Sequence, residues 1–219
     1  MNVNAKVNAQ RDGSPRGVVL FGPPTAGKDT VSAALTGLDT RYGQLTKIKV
    51  GSGRTTGYRM ADADELAALR AAGRLVLETR RYGNTYAIDR DDLDAMTGAG
   101  RIPIVHIGSV EHLRSFTAAV REPWLCVLLW VPRDVCEQRS RGRGDRDTAD
   151  RLAAWDEALA DLGTVQDGEE PFDLLLRTDH TDPDRTAEII ARAHAHHQGE
   201  RNRAATLTAF LGQAATAER

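Results

Sequence analysis

Two kinds of apolar pattern alternate along the chain. Short runs of consecutive apolar residues predict buried strands, and segments with an apolar residue every three or four positions predict helices with one buried face. Runs of this kind predict strands at Gly17–Phe21, Ile102–Ile107 and Trp124–Val131. Alternation predicts strands at Leu75–Thr79 and Thr85–Ile88, Lys47–Val50 is a short candidate strand, and Phe172–Arg177 is the last strand. Strands that alternate with helices predict an α/β fold, in which a parallel sheet carries helices on both faces.

The predicted helices carry recognisable end signals. Asp147 is an expected cap, and Asp182-Pro183 opens a helix by the rule that a capping residue precedes a proline. The predicted helices are one that follows Lys28 and ends near Gly37, then Asp62–Ala72, Asp91–Met96, Val110–Val120, Arg133–Arg139, Thr148–Leu162, the Asp182-Pro183 helix and a weak helix at Leu207–Leu211. In the Thr148–Leu162 helix, Trp155 and Leu159 are expected to share the buried face with Leu152 and Leu162.

Composition narrows the class of protein. A chain of 219 residues with 41% hydrophobic and 27% charged residues is typical of a soluble α/β domain. A net charge of −2 gives no reason to expect nucleic acid as a partner. The apolar runs are too short for a membrane span, and residues 1–16 lack the apolar segment of a signal peptide, so we expect a cytoplasmic protein. Cys126 and Cys136 are then expected to be buried thiols.

The segment Gly22-Pro23-Pro24-Thr25-Ala26-Gly27-Lys28-Asp29-Thr30 is typical of a phosphate-binding loop. It follows a predicted strand and precedes a predicted helix, which is the context that a P-loop requires. Backbone N–H groups around the glycines, the helix N-terminus and the Lys28 ammonium would all favour a phosphate. The P-loop consensus has Ser or Thr directly after the lysine, where this chain has Asp29 and then Thr30. Either side chain could serve Mg²⁺, Asp29 through water.

Arginines are concentrated in a second segment, with two glycines among them. They are Arg139, Arg141, Arg143, Arg146 and Arg151. One interpretation is a solvated charged face, because Asp145, Asp147 and Asp150 are interspersed. The other is a mobile lid whose guanidinium groups neutralise the charge that spreads over a phosphoryl group during transfer.

The order and spacing of these segments resemble those of the guanylate kinase-like branch of the nucleoside-monophosphate kinases, over about residues 17–195. The resemblance implies a P-loop three-layer α/β/α fold with a parallel central sheet, a small acceptor-binding insertion at about 51–90 and an Arg-rich lid at about 139–151. It also implies that Arg139 packs on the ATP base, that Arg143 and Arg151 contact phosphates, and that Thr178 lies near the adenine. Residues 1–16 would be a flexible arm and 17–198 the kinase domain, and 199–219 would form a helical tail that docks on its own domain or on a second copy in a homodimer.

The acceptor half of the family pattern has partial counterparts here. Leu77-Glu78 and Tyr82-Gly83-Asn84-Thr85-Tyr86 resemble the family segment in which a Glu binds guanine and a Tyr holds the acceptor phosphate. This implies acceptor contacts for Glu78 and Tyr86, although a solvated carboxylate and a packed aromatic are the alternatives. Thr55 and Thr56 resemble the Thr-Thr that precedes two phosphate-binding arginines, which implies a role for Thr55 and Arg59. Gly57 replaces the first arginine of that pair, and Arg54 could compensate.

One departure bears on the acceptor. Guanylate kinases have Asp-x-Asp at the end of the third strand, where this chain has His106-Ile107-Gly108. Losing a buried acceptor of hydrogen bonds would cost guanine selectivity about 1–3 kcal/mol. The Gly108-Ser109 pair resembles instead the ribose bisphosphate phosphokinases, which act on a sugar phosphate. His106 is either an acceptor contact or a polar strand end.

The expected function is therefore an ATP- and Mg²⁺-dependent phosphotransferase. Its acceptor would be a small phosphorylated molecule, either a nucleoside monophosphate other than GMP, a ribose phosphate or a specialised metabolite. An acceptor oxygen that is already anionic needs no general base. The alternative is a guanylate kinase-like domain without catalysis that binds proteins, although such domains usually lose the P-loop lysine or the lid arginines.

Overall fold

The computed structural model describes residues 15–81, 83–142, 147–166, 169, 171–196 and 207–216. The strands are β1 (Val18–Phe21), β2 (Tyr42–Gln44), β3 (Lys47–Val50), β4 (Tyr58–Met60), β5 (Leu75–Arg81), β6 (Asn84–Asp89), β7 (Ile102–Ile107), β8 (Leu125–Trp130) and β9 (Leu174–Arg177). The helices are α1 (Lys28–Leu38), α2 (Ala63–Ala71), α3 (Arg90–Gly98), α4 (Val110–Ala119), α5 (Arg133–Gly142), α6 (Thr148–Leu162), α7 (Pro183–Ala195) and α8 (Leu207–Thr216).

The central sheet has five strands in the order β2-β7-β1-β8-β9, and every pair in it is parallel. Strands β1 and β8 are buried along their whole length because helices cover both faces of the sheet, as their continuous apolar runs predicted. Parallel strands end at one edge, so the segments that follow Phe21, Ile107 and Trp130 meet there. The parallel α/β prediction is confirmed.

A second sheet has four strands in the order β4-β3-β6-β5. Strand β6 is antiparallel to β3 and β5, and β4 is parallel to β3. Helix α2 covers one face, where Ile48, Leu66, Leu69 and Ala87 form a separate apolar cluster. Sequence reasoning missed β2 and β4, because each has only three residues and neither shows the apolar alternation of a longer strand.

The predicted caps have two outcomes. The Asp182 carboxylate accepts a hydrogen bond from the N–H group of Arg185 (2.9 Å), so this cap is confirmed. Asp62, expected as the first residue of its helix, caps α2 by accepting from the N–H group of Glu65 (2.8 Å). The prediction for Asp147 is wrong in its mechanism, because no side-chain cap bond forms. Its carboxylate accepts instead from Arg151 Nε at 3.1 Å, four residues further along the same helix.

Helix α6 packs on the end of β8 through Trp155. The indole N–H donates to the carbonyl oxygen of Val131 (2.9 Å), and the ring lies 5.0 Å from that of Trp130. Leu162 is buried as predicted, but Leu159 is 38% exposed. The buried stripe passes instead through small alanines at 154 and 158, which allow close packing that the apolar pattern alone could not predict.

Three further features of the described residues complete the fold. Leu207, Phe210 and Leu211 of α8 pack against the main core of their own chain. Cys126 and Cys136 are buried and unpaired with each other. Within the described ranges, no helix has the length and apolar character needed to cross a membrane.

Candidate active site

The segment from Gly22 to Lys28 turns sharply between β1 and α1. A Cβ at Gly22 would overlap the carbonyl oxygen of Leu129, so only glycine fits this close approach. Gly27 takes φ +85° and leads directly into the first turn of α1. The glycines therefore shape the loop, and the loop presents the N-terminus of α1, as a phosphate-binding loop requires.

Lys28 is the first residue of α1 and folds back over the loop. Its Nζ donates hydrogen bonds to the carbonyl oxygens of Gly22 (2.7 Å) and Pro23 (2.8 Å). Burial lowers the pKa of Lys28 to about 8, and the neighbouring Asp29 opposes that shift. A buried ammonium bound only to carbonyls lacks a compensating negative charge in direct contact, so it favours an anion beside it.

A large cavity of about 550 Å³ opens on one side of the loop. Its floor is the carboxyl edge of the central sheet, its wall is the small sheet, and α6 lies opposite. The residues that line it are Gly22, Pro23, Pro24, Lys28, Lys47, Tyr58, Leu77, Thr79, Arg80, Arg81, Tyr86, His106, Ile107, Gly108, Ser109, His112, Ala154, Glu157, Ala158 and Asp161. Several are cationic, so the cavity is suited to an anionic small molecule.

A second cavity of about 500 Å³ opens on the other side of the loop. Gly27 and Thr30 line it together with Arg139 and Thr178. The Arg139 guanidinium donates to the carbonyl oxygen and the hydroxyl of Thr178 (2.6 and 3.2 Å) and to Thr25 O (3.1 Å). Thr178 donates in turn to the carbonyl oxygen of Ala26 (3.0 Å). These bonds tie α5 and β9 to the phosphate-binding loop.

His106 lies at the end of β7 between the loop and the large cavity. Its Nε2 is hydrogen-bonded to Ser32 Oγ at 2.8 Å, and its Nδ1 lies 3.7 Å from an Asp29 oxygen. Burial, followed by the charge of Lys28, lowers its pKa to about 4, although Asp29 opposes the shift. The imidazole is therefore neutral at physiological pH, and His106 lines the cavity as a polar, uncharged group.

The arrangement has a counterpart among solved structures. It resembles guanylate kinase from Anaplasma phagocytophilum with a TM-score of 0.58 and 16% identity, over 85% of this chain and 88% of that one. A sugar kinase from Janibacter sp. HTCC2649 matches with a TM-score of 0.41 and 17% identity, over 83% and 93% of the two chains, which is too distant to support an argument. No protein-family model and no curated protein matches the sequence. The chain has a P-loop kinase fold.

Glu78 and Tyr86 lie on opposite faces of the small sheet. Tyr86 pairs with Thr79 across β5 and β6, and both line the large cavity. Glu78 faces α2, where Arg70 donates two hydrogen bonds of 3.0 Å to its carboxylate. The structure therefore brings Tyr86 into the site and leaves Glu78 out of the cavity lining, because successive residues of a strand point to opposite faces.

The expected acceptor arginines lie away from the cavity lining. Arg59 forms ion pairs with Glu65, Asp89 and Asp92. Arg54 is exposed and donates to Thr56 O (3.1 Å), and Thr55 beside it is exposed. The carboxylates around α2 and α3 engage Arg59, so an acceptor role for Arg54, Thr55 and Arg59 stays a prediction.

The predicted lid is only partly described. Arg143 lies outside the described residues. Arg151 lies on α6, bound to Asp147, and does not line the large cavity. Arg139 joins the loop to Thr178 as described above. A lid role for Arg143 and Arg151 stays a prediction.

Sequence reasoning missed several residues that line the large cavity. Lys47 and Arg81 lie at strand ends, and His112 and Asp161 lie on helices. Burial lowers the pKa of Lys47 to about 8. A lysine inside a predicted buried strand was the one signal that could have identified it, since lysine is rarely buried without a partner.

Asp29 and Thr30 offer oxygen ligands at the edge of the loop. The Asp29 side chain is 84% exposed, and the Thr30 hydroxyl is on the first turn of α1 beside the smaller cavity. Carboxylate and hydroxyl oxygens suit Mg²⁺, which usually takes one or two protein ligands and completes its shell with phosphates and water. The residues present therefore fit a magnesium ion that accompanies a nucleotide.

Proposed function

We propose that this protein is an ATP- and Mg²⁺-dependent phosphotransferase that acts on a small phosphorylated acceptor. The observation that carries the proposal is the position of the Lys28 loop between two cavities. Lys28 lines the large cavity and Gly27 lines the smaller one. A loop that binds phosphates between a donor space and an acceptor space is the arrangement that direct transfer requires.

The donor nucleotide would occupy the smaller cavity. Arg139 and Thr178 line that cavity and would contact the base, since a guanidinium stacks well on a purine. The loop amides and Lys28 would bind the triphosphate, with Mg²⁺ at Asp29 and Thr30. The metal, when bound, would neutralise phosphate charge. The protein's own residues would align the triphosphate towards the large cavity.

The acceptor would occupy the large cavity. Tyr86 and Thr79 form one wall, and His106 offers a neutral ring at the floor. Glu78, whose family counterpart binds guanine, is already held by Arg70 on the other face of the sheet. This supports an acceptor other than GMP and leaves other nucleoside monophosphates and sugar phosphates as the classes to test.

A coupled ADP-release screen over nucleoside monophosphates and sugar phosphates tests the proposal. We expect at least one acceptor to raise ADP release from ATP and Mg²⁺, and Lys28→Ala to abolish it. Arg41→Ala is the matched control, because Arg41 is an exposed cation at the opposite, amino-terminal edge of the sheet. If no acceptor stimulates ADP release, or Lys28→Ala keeps the full rate, the proposal fails.

A further inference from the structure

Lys47 connects the two sheets at the floor of the large cavity. It begins β3 of the small sheet, and its Nζ donates a hydrogen bond of 2.5 Å to the carbonyl oxygen of His106 in the central sheet. His106 pairs with Leu20, one residue from the end of β1, after which the Lys28 loop begins. The two lysines therefore place their ammonium groups at the same edge of the central sheet.

The Lys47 ammonium is short of partners. An ammonium has three N–H donors, and one carbonyl accepts from it. Among residues 15–81, 83–142 and the later described ranges, no carboxylate lies within ion-pair distance of it. Lys47 is half-buried, and this burial without a counter-charge lowers its pKa to about 8. An anion in contact with such an ammonium stabilises it more than it would stabilise the ammonium of an exposed lysine.

Other cations face the same region. Lys28 and Arg81 line the cavity with Lys47, and the charges of both Lys47 and Arg81 oppose protonation of Lys28. His112 lies nearby, and burial together with Lys47 and Arg81 lowers its pKa. Positive charges that converge on one space favour an anion there.

The carboxylates in this region have other partners. Asp161 accepts a hydrogen bond of 2.6 Å from the Val110 N–H at the start of α4, and its effect on His112 is smaller than that of Lys47. Glu157 lies 3.9 Å from Arg81. Asp29 lies on the exposed side of His106. None of them contacts Lys47.

We propose that Lys47 is an acceptor-binding residue and that, together with Lys28 in the lining of the same cavity, it holds the anionic group that receives the phosphoryl group. The acceptor class is then one whose receiving oxygen belongs to a phosphate or a carboxylate rather than to a hydroxyl. That oxygen forms the new bond to the γ-phosphorus of ATP. The bond from the γ-phosphorus to the β–γ bridging oxygen breaks, its electron pair leaves with ADP, and no proton has to be removed. This inference rests on the proposed function.

Lysine-specific NMR tests the proposal on the whole chain. The protein has four lysines, Lys6, Lys28, Lys47 and Lys49, so ¹³C labelling at lysine Cε gives a spectrum simple enough to assign. Inorganic phosphate, titrated while ADP and Mg²⁺ are saturating, should shift the Lys47 signal and raise its pKa. A Lys47 signal that phosphate does not change would overturn the proposal, without any variant having to fold.

Variants separate this inference from the proposed function. Lys47→Met should weaken phosphate binding roughly tenfold or more, as expected for loss of a charged hydrogen-bond donor, and Lys47→Arg should restore most of it. ATP affinity should change less than about threefold, since Lys47 is not on the donor side. Arg41→Met removes a positive charge at the opposite edge of the sheet and should change neither phosphate binding nor ATP affinity.

The outcomes are distinguishable. If Lys47→Met binds phosphate as tightly as the wild type, Lys47 is not in the acceptor site, even where ATP binding and ADP release remain normal. If the wild type binds phosphate through Lys47 but neither binds ATP nor releases ADP, the anion site stands and the phosphotransferase proposal fails.

Discussion

Replacing Trp155 with Phe should remove the hydrogen bond of the indole N–H while keeping most of the packing of the ring. The indole is 6% exposed, and its N–H is bonded to the carbonyl oxygen of Val131, which is fully buried. Phe keeps most of the contact with Trp130 but leaves this carbonyl without its donor. Helix α6, which forms one side of the large cavity, would then be held less firmly on β8.

The free energy of unfolding that Trp155→Phe loses follows from these contacts. A buried carbonyl that loses its partner costs about 1–3 kcal/mol, and the smaller ring loses roughly 1 kcal/mol more in packing. For a chain of this size, a total of about 2–4 kcal/mol lowers the midpoint of thermal unfolding by about 4–16 °C. Differential scanning calorimetry measures the midpoint directly.

Leu159→Ala is the matched control on the same helix. Leu159 is 38% exposed, so truncating it should cost less than about 1 kcal/mol. The argument would be refuted if Trp155→Phe unfolded within about 1 °C of the wild type. A larger loss in Leu159→Ala than in Trp155→Phe would contradict the assignment of the buried stripe of α6.

Three further variants test other parts of the account. Arg139→Ala should raise the Kd for ATP by about fivefold to thirtyfold through loss of a base contact, yet change the Kd for inorganic tripolyphosphate much less, as calorimetry can measure. The pKa of His106 is about 4 in the folded protein and about 6.5 in the unfolded chain. Between these two values only the unfolded chain gains a proton, so the free energy of unfolding falls as the pH is lowered through this range. Between pH 7 and pH 4.5, the free energy of unfolding measured in urea should fall by about 2 kcal/mol more in the wild type than in His106→Gln. Glu78→Gln should leave acceptor KM within about twofold, because Glu78 binds Arg70 outside the cavity; a tenfold rise would place it in the site.

The sequence was sufficient to predict four of the five strands of the central sheet and the glycine-bounded loop between β1 and α1. Strands β1 and β8 lie between two layers of helices, and burial on both faces requires the continuous apolar runs that identify them. The loop was predictable because Gly22, Gly27 and Lys28 follow a fixed spacing between a strand and a helix, which the sequence displays directly. The reason for Gly22, its close approach to the carbonyl oxygen of Leu129, is visible only in the fold.

The lining of the large cavity was less predictable because it depends on which face of a strand a residue occupies. Glu78 and Thr79 are adjacent, and the pairing of Thr79 with Tyr86 decides which of them lines the cavity. Lys47 is similar, since its importance arises from the end of another sheet that comes 59 residues later in the chain. A lysine in a predicted strand can indicate that one position matters, but the partner that tertiary packing brings to it leaves no local signal.

Calorimetric titration of ATP with Mg²⁺ into the wild type and Lys28→Ala tests whether the Lys28 loop binds the phosphates of ATP. We expect saturable binding to the wild type, an affinity for ATP that is roughly tenfold or more lower in Lys28→Ala, and an unchanged affinity in Arg41→Ala. The unfolding midpoint of each variant shows that it is folded. Absence of ATP binding to the wild type, or equal affinity in Lys28→Ala, would contradict this expectation.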